Sequence, residues 1–322
     1  MVNNNTLKIL SISIFIFTVN SCQTFIDVGD NFVRQLSSPE KVIKKVKDPI
    51  RKDVKLSALW IGHASFLLQI YDKVILIDPV FTNNVAQVLR RYAEPGLDLN
   101  SLKKIDMVLI SHSHMDHLSL GSLSDIEDKF HGTDIVFPAG VENYLPDYDM
   151  NFIKMNFTDY RKKFTGETKL IDSVKITAVP AVHWGGRYGL DGKFFSSNGY
   201  CGFIIEYRDV TVYYTSDTSY EPDLFKYIGD NYDIDLVLVN IIYCKGCTEI
   251  NQGTSHILPM GAIKILDDTK AEYMIPAHFG MFTDPNVQIR ELKKMYLTND
   301  EYKRKVKILN IGEQFVIKSS EK

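Results

Sequence analysis

Six consecutive residues, His112-Ser113-His114-Met115-Asp116-His117, hold four side chains that bind metal ions. Alternate residues of an extended segment share a face, so His112 and His114 can point at one ion. The chain must then turn, which lets Asp116 and His117 reach a neighbouring ion. Imidazole and carboxylate at about 2 Å suit zinc, which takes four ligands and keeps one position open for water in catalytic sites. A chance cluster of surface His and Asp is the bland alternative, and it is disfavoured because each of the four has ligand chemistry. Two ions need further donors. His183 follows the apolar run Ile176 to Val182, Asp217 follows Val212 to Ser216, and His278 follows Met274 to Ala277. Taken singly, a His at a strand end is more often structural. Beside the first cluster, the three supply what two ions lack.

These donors need rigid elements behind them. Leu56 to Ile61, Phe66 to Tyr71 and Val74 to Ile77 are short apolar runs split by Gly62 and Asp72-Lys73, and they read as a β-meander. Asp106 to Ile110 is a strand that delivers the His cluster at its end. Leu120, Leu123, Ile126 and Phe130 lie at helical spacing within Ser119 to Phe130. Asp134 to Phe137, Val174 to Val182, Gly202 to Tyr207, Val210 to Thr215, Leu236 to Asn240, Tyr273 to Ile275 and Val306 to Ile317 read as further strands. Glu221 to Ile228, Pro259 to Asp267 and Asn286 to Tyr296 read as helices, with Pro259 suited to a first turn. The pattern is two β-rich halves with helices outside and no linker between them, hence one domain over 55–322.

The 322 residues are 45% hydrophobic and 24% charged, within the range of a globular protein with a sizeable core. A net charge of -3 and scattered basic residues give no reason to expect a nucleic-acid partner. Ile9 to Val19 is apolar behind Lys8, too short to span a bilayer but shaped like a secretory leader. Ser21-Cys22 closes it and resembles a bacterial lipobox. That resemblance implies a leader over 1–22, lipidation of Cys22 and an exported lipoprotein in the cell envelope, held at the membrane by its lipid. Residues 23–54, polar with Pro39 and Pro49, read as a tether. Cys244-Lys245-Gly246-Cys247 could close as a small disulfide or be incidental, and it lacks the second pair of a structural zinc site.

The flanking residues are more specific. Gly62-His63-Ala64-Ser65, Asp78-Pro79-Val80-Phe81, Ile110-Ser111-His112, His183-Trp184-Gly185-Gly186-Arg187, Ser216-Asp217-Thr218-Ser219-Tyr220, His256-Ile257-Leu258-Pro259 and His278-Phe279-Gly280 resemble motifs of metallo-β-lactamase-fold hydrolases. Within them the chain is similar to the branch of N-acyl-phosphatidylethanolamine phospholipase D and ascorbate-6-phosphate lactonase-like proteins. The resemblance covers about Lys55 to Ile317 and implies an α/β, four-layer αββα sandwich. By motif, His112, His114 and His183 would hold one zinc, Asp116, His117 and His278 the other, and Asp217 would bridge both. Iron and manganese accept the same donors.

Metal-activated water near neutral pH would then attack the substrate. Asp116 and Asp217 count as catalytic through those ions, and His256 is the expected acid or oxyanion stabiliser. Asp78 is expected to orient a ligand His from behind, or simply to start a turn before Pro79, and His63 to support the site. The resemblance implies a phosphodiesterase of phospholipase D type acting on a phospholipid. The alternatives are a lactonase or other ester or amide hydrolase, and a metal-binding envelope protein without turnover. Ser196 to Gly199 and Ile241 to Cys247 depart from the branch's motifs, so they bear on the substrate rather than the metals.

Overall fold

The computed structural model describes residues 38–85, 89–156, 159, 161–188, 191, 199–253 and 255–319. Cys22 with the leader, the first part of the tether, and Ser196 to Asn198 lie outside them. In chain order the main elements are β1 (Val54–Gly62), β2 (Ser65–Ile70), β3 (Lys73–Ile77), β4 (Met107–Leu109), α1 (Leu120–Lys129), β5 (Asp134–Pro138), β6 (Asn151–Met155), β7 (Thr168–Ile171), β8 (Val174–Val179), β9 (Gly202–Tyr207), β10 (Val210–Tyr214), α2 (Pro222–Asn231), β11 (Leu236–Asn240), α3 (Pro259–Thr269), β12 (Tyr273–Ala277), α4 (Pro285–Tyr296), α5 (Asp300–Lys305) and β13 (Gln314–Lys318). One sheet has seven strands in the order β13-β1-β2-β3-β4-β5-β6, and the other has six in the order β12-β11-β10-β9-β8-β7. Both begin as antiparallel meanders and finish with parallel strands.

Side chains alternate across a strand, and β1 and β2 are apolar on both faces. Leu56, Ala58, Trp60, Phe66 and Leu68 join the large core that reaches the second sheet. Leu59, Ile61 and Leu67 point the other way, onto Leu123 and Ile126 of α1. Leu224, Phe225 and Ile228 of α2, Ile265 and Leu266 of α3, and Ile289 and Leu292 of α4 bury their apolar faces in the large core too. The result is the expected four-layer αββα sandwich. Ser119 caps α1 by accepting from the Ser122 amide, and Pro259 sits in the first turn of α3. Among the described residues, no helix is long and apolar enough to cross a membrane.

Two expectations differ from what is observed. The strand expected over 306–317 is only β13: Val306 makes a single bridge to Met274, and the chain then turns through Asn310 and Gly312, where Gly312 has φ +85°. The apolar Ile308 and Leu309 are buried without pairing in a ladder. The described part of the 23–54 segment is not a free tether. Glu40 donates its amide to the Tyr92 carbonyl at 2.8 Å, the Pro49 carbonyl accepts from Gln314 Nε2 at 2.7 Å, and Val46 and Ile50 pack on the core beneath α1. Burying those side chains outweighs leaving the segment solvated.

Candidate metal centre

The expected donors and the two expected supporting residues, His63 and Asp78, lie past the C-terminal ends of strands. His63 follows β1, Asp78 follows β3, the His112–His117 turn follows β4, His183 follows β8, Asp217 follows β10 and His278 follows β12. Four residues at these strand exits have left-handed backbones although none is glycine: His63 (φ +54°), Asp78 (φ +41°), Ser216 (φ +59°) and His278 (φ +67°). Such conformations cost of order 1–3 kcal/mol each and persist where surrounding contacts impose them. Here the His63 carbonyl accepts from both the Trp60 indole N–H (2.7 Å) and the His278 amide (2.9 Å), which ties the exits of β1 and β12 together across the two sheets.

Two donor sets result. His112, His114, His183 and Asp217 form the first, and their ligand atoms lie within 4.8 Å of one another. His112 Nε2 and His183 Nε2 stand 2.8 and 3.2 Å from His114 Nδ1. His63, Asp116, His117 and His278 form the second, within the same limit. Asp217 Oδ2 lies between the sets, 3.1 Å from His278 Nε2, 3.2 Å from His117 Nε2 and 3.9 Å from His183 Nε2. Its other oxygen accepts from Asn240 Nδ2 at 2.9 Å, which leaves Oδ2 free for both sets.

These residues fit divalent cations. Three buried ring nitrogens converge on one point in the first set, an arrangement that protons on imidazoles satisfy poorly. In the second, the buried Nε2 atoms of His117 and His278 lie 3.2 and 3.1 Å from Asp217 Oδ2 but without hydrogen-bond geometry. Buried polar atoms are normally paired, and imidazole nitrogens converging beside two carboxylates are a donor set that fits a divalent cation. His112, His114, His183 and Asp217 would hold one ion. Asp116, His117 and His278, with Asp217 shared, would hold the other.

Behind the donors stands a chain of orienting contacts. Asp78 is fully buried, and its Oδ2 accepts from His117 Nδ1 (2.8 Å), Ser111 Oγ (2.6 Å) and the Tyr214 hydroxyl (2.6 Å). Asp78 thus sits directly behind the His117 ring, on the side away from Asp217. Ser111 Oγ also lies 3.0 Å from His112 Nδ1. The Ser255 carbonyl accepts from His183 Nδ1 at 2.9 Å. Such contacts fix the ring tautomer and face.

Electrostatics separate the sets. Burial holds His112 and His183 well below the ordinary histidine range, helped by neighbouring imidazoles, and lowers His114 to about 4. Burial likewise lowers His63 to about 3. At His117 and His278 burial also lowers the pKa, but the Asp217 and Asp116 carboxylates outweigh it. His117 is held well above its usual value, and His278 is raised to about 9. Burial raises Asp116 and Asp217, and the surrounding imidazoles outweigh that and hold both carboxyls well below theirs.

His63 was expected as support, yet its Nε2 sits 2.9 Å from Asp116 Oδ2 and its ring centroid 3.9 Å from that of His278, which brings it into the second set. His256, on a short hairpin, belongs to neither set: its Nε2 is 3.3 Å from Asp217 Oδ2 and its Nδ1 is 3.2 Å from Ser255 Oγ. Trp184 covers His114 at 4.1 Å between ring centroids. Asn240, Ser111 and the Ser255 carbonyl were not expected at the site. A terminal Asn after four apolar strand residues was the only signal for Asn240. Cys244 and Cys247 are joined as a disulfide, with Cα atoms 5.6 Å apart.

The Beta-lactamase superfamily domain matches residues 73–279, which include both donor sets except His63. The mitochondrial N-acyl-phosphatidylethanolamine-hydrolyzing phospholipase D of Saccharomyces cerevisiae is 27% identical over 229 residues, 69% of this chain and 47% of the yeast protein. The chain thus spans about half the length of that relative. A UPF0173 metal-dependent hydrolase of Pyrococcus furiosus is 30% identical over 258 residues, 79% of this chain and 96% of that protein. Among solved structures, a metallo hydrolase of the hyperthermophilic archaeon Ignicoccus hospitalis is similar in fold, with a TM-score of 0.58 at 19% identity, covering 82% of this chain and 99% of that one. The ligand-bearing strand ends, the paired donor sets and these likenesses agree: the chain belongs to the beta-lactamase superfamily and is a metal-dependent hydrolase of the metallo-β-lactamase fold.

Proposed function

We propose that the protein is a dinuclear zinc phosphodiesterase of phospholipase D type that acts on N-acyl-phosphatidylethanolamine or a similar lipid. The observation that carries this is the apolar wall beside the second donor set. Leu89, Met115 and Phe282 form its half-buried face, backed by the buried Val80, Val85 and Met281; Met115 lies within the ligand turn, and the Phe282 ring is 5.9 Å from that of His63. An acyl chain gains about 0.8 kcal/mol per buried CH2 against such a wall. The similarity to the yeast phospholipase D supports the same reading.

Divalent ions bound at the two sets would activate water and neutralise charge that develops on the phosphoryl oxygens. The residues of the chain do the rest. Asn240 and Asp78 hold Asp217 and His117 in place before substrate arrives. His256, partly exposed and outside both sets, donates its Nε2 proton to the departing oxygen. Cys22 carries the lipid that keeps the enzyme at its membrane, in an exported envelope lipoprotein.

A second reading is an ester, lactone or amide hydrolase on the same donors; the near full-length match to a Pyrococcus metal-dependent hydrolase supports hydrolysis without choosing between the two. Zinc-loaded protein offered N-acyl-phosphatidylethanolamine, a phosphodiester chromogen, a lactone and a cephalosporin separates the readings. Turnover of the lipid is expected. Turnover of the lactone alone supports the second reading, and two bound zincs with no turnover at all support a binding protein. His256→Gln should lower kcat roughly 100-fold with both zincs retained. Labelled palmitate should enter the chain at Cys22; no label on Cys22 would overturn the anchor.

A further inference from the structure

Four residues beyond His183, Arg187 reaches back to the ligand turn. Its Nη1 donates to the Leu118 carbonyl at 2.7 Å and to the Ser113 carbonyl at 3.2 Å. Those carbonyls bracket the donors His114, Asp116 and His117. The turn itself is closed by the His117 and Leu118 amides on the His114 carbonyl. One guanidinium nitrogen thus pins both ends of the segment that divides its side chains between the two donor sets.

The loop that carries Arg187 is fixed in turn. Asp191 Oδ2 accepts from the Arg187 amide at 2.7 Å and Oδ1 from the Tyr188 amide at 2.8 Å. The same loop starts at His183, a donor of the first set only. An ion held by His183 and His114 would anchor the loop, and the loop positions the turn that carries Asp116 and His117 of the second set.

We infer that Arg187 is a positioning residue that couples the two metal sites, so that filling the first set prepares the second. The inference rests on the assignment of the two donor sets. It adds a route between the sites distinct from the shared Asp217 carboxylate. Mutation of such orienting contacts typically costs 10- to 100-fold in metal affinity, and here the larger cost falls on the second site, which takes two of the three bracketed donors, Asp116 and His117.

The test is a titration of metal-free protein with zinc against a chelating dye, which yields two stepwise constants, with cobalt spectra of the same steps. Wild type should bind two ions over a narrow range of free zinc. Arg187→Met should keep the first constant within about threefold and weaken the second by at least tenfold. Arg187→Lys should recover part of that loss, since an ammonium can still donate to the same carbonyls but lacks the fork. Asp191→Ala leaves every donor and the guanidinium in place, and should weaken the second step alone by a smaller factor. It also serves where Arg187→Met does not fold. Equal weakening of both steps, or no change in either, would overturn the coupling. Wild-type protein that binds fewer than two ions would instead overturn the donor assignment beneath it.

Discussion

The two donor sets share a carboxylate and little else. The first is a basin of three imidazoles, each held neutral by burial. Two of their back nitrogens lie against neutral oxygens, Ser111 Oγ and the Ser255 carbonyl. The second set contains a carboxylate of its own, Asp116, and its His117 is backed by the Asp78 carboxylate. There His117 and His278 hold protons that offset two buried anions. Buried charge is costly unless compensated, so the second set is kept together without metal by ion pairs that an arriving cation must replace. The first set needs only a cation to fill it. The same fold thus presents one preformed, imidazole-rich site beside one proton-occupied site.

The largest expected effect removes what the two sets share. Asp217→Ala should release both ions or leave one weakly held, and should lower turnover by roughly 1,000-fold or more, since several kcal/mol of metal stabilisation is lost. Metal content by mass spectrometry and turnover on one substrate check this together. Two ions per chain with full activity would show that the sets do not depend on a common carboxylate. Asn240→Ala, which frees Asp217 Oδ1, should give the same pattern in weaker form, on the order of 10- to 100-fold in affinity.

Much of the first set was legible in the sequence because His112, His114 and the turn after them are contiguous and alternate as an extended segment does. The second half required another signal, a lone polar residue ending an apolar strand, which found His183, Asp217 and His278. That signal fails for Asn240, because a terminal Asn looks like any turn former. It also understates His63, whose place beside Asp116 depends on a left-handed turn after Gly62 and on a backbone contact with His278 from the other sheet. The sandwich followed from apolar runs on both strand faces. The edge strands β6 and β7 escaped, since half-exposed edges carry little apolar contrast. Ile308 and Leu309 read as strand because burial, not pairing, makes a run apolar.

A smaller substitution separates the sets through their supports. Asp78→Asn keeps the volume but removes the charge behind His117, and should weaken the second ion about tenfold while the first changes less. Ser111→Ala leaves the Asp78 contact to His117 in place and removes the oxygen beside His112 Nδ1, so the first ion should suffer more. Stepwise zinc titration of the two variants checks the reversal. Parallel losses in both would mean that the Asp78–Ser111 pair serves the whole site as a unit.

The smallest perturbation needs no mutation. His278 keeps its proton up to about 9 in the metal-free protein, so below that pH an ion entering the second set must displace it. Each displaced proton makes affinity rise about tenfold per pH unit. Between pH 6 and 8 the second zinc constant should therefore climb by roughly 100-fold, and more steeply still if His117 also gives up its proton. The first set shows no such slope, because His114 is already neutral above about 4 and His112 and His183 lie well below the usual histidine range. Stability carries the matching sign. A histidine whose pKa is raised on folding stabilises the metal-free fold fully below its unfolded value, about 6.5. That contribution is lost as pH rises through about 9. The metal-free Tm should thus fall between pH 7 and 9, while the zinc-loaded Tm, with those protons already gone, should stay flatter. Equal slopes for the two zinc constants, or a metal-free Tm that rises over that window, would mean that the second set is not held by protons in the way its carboxylates imply.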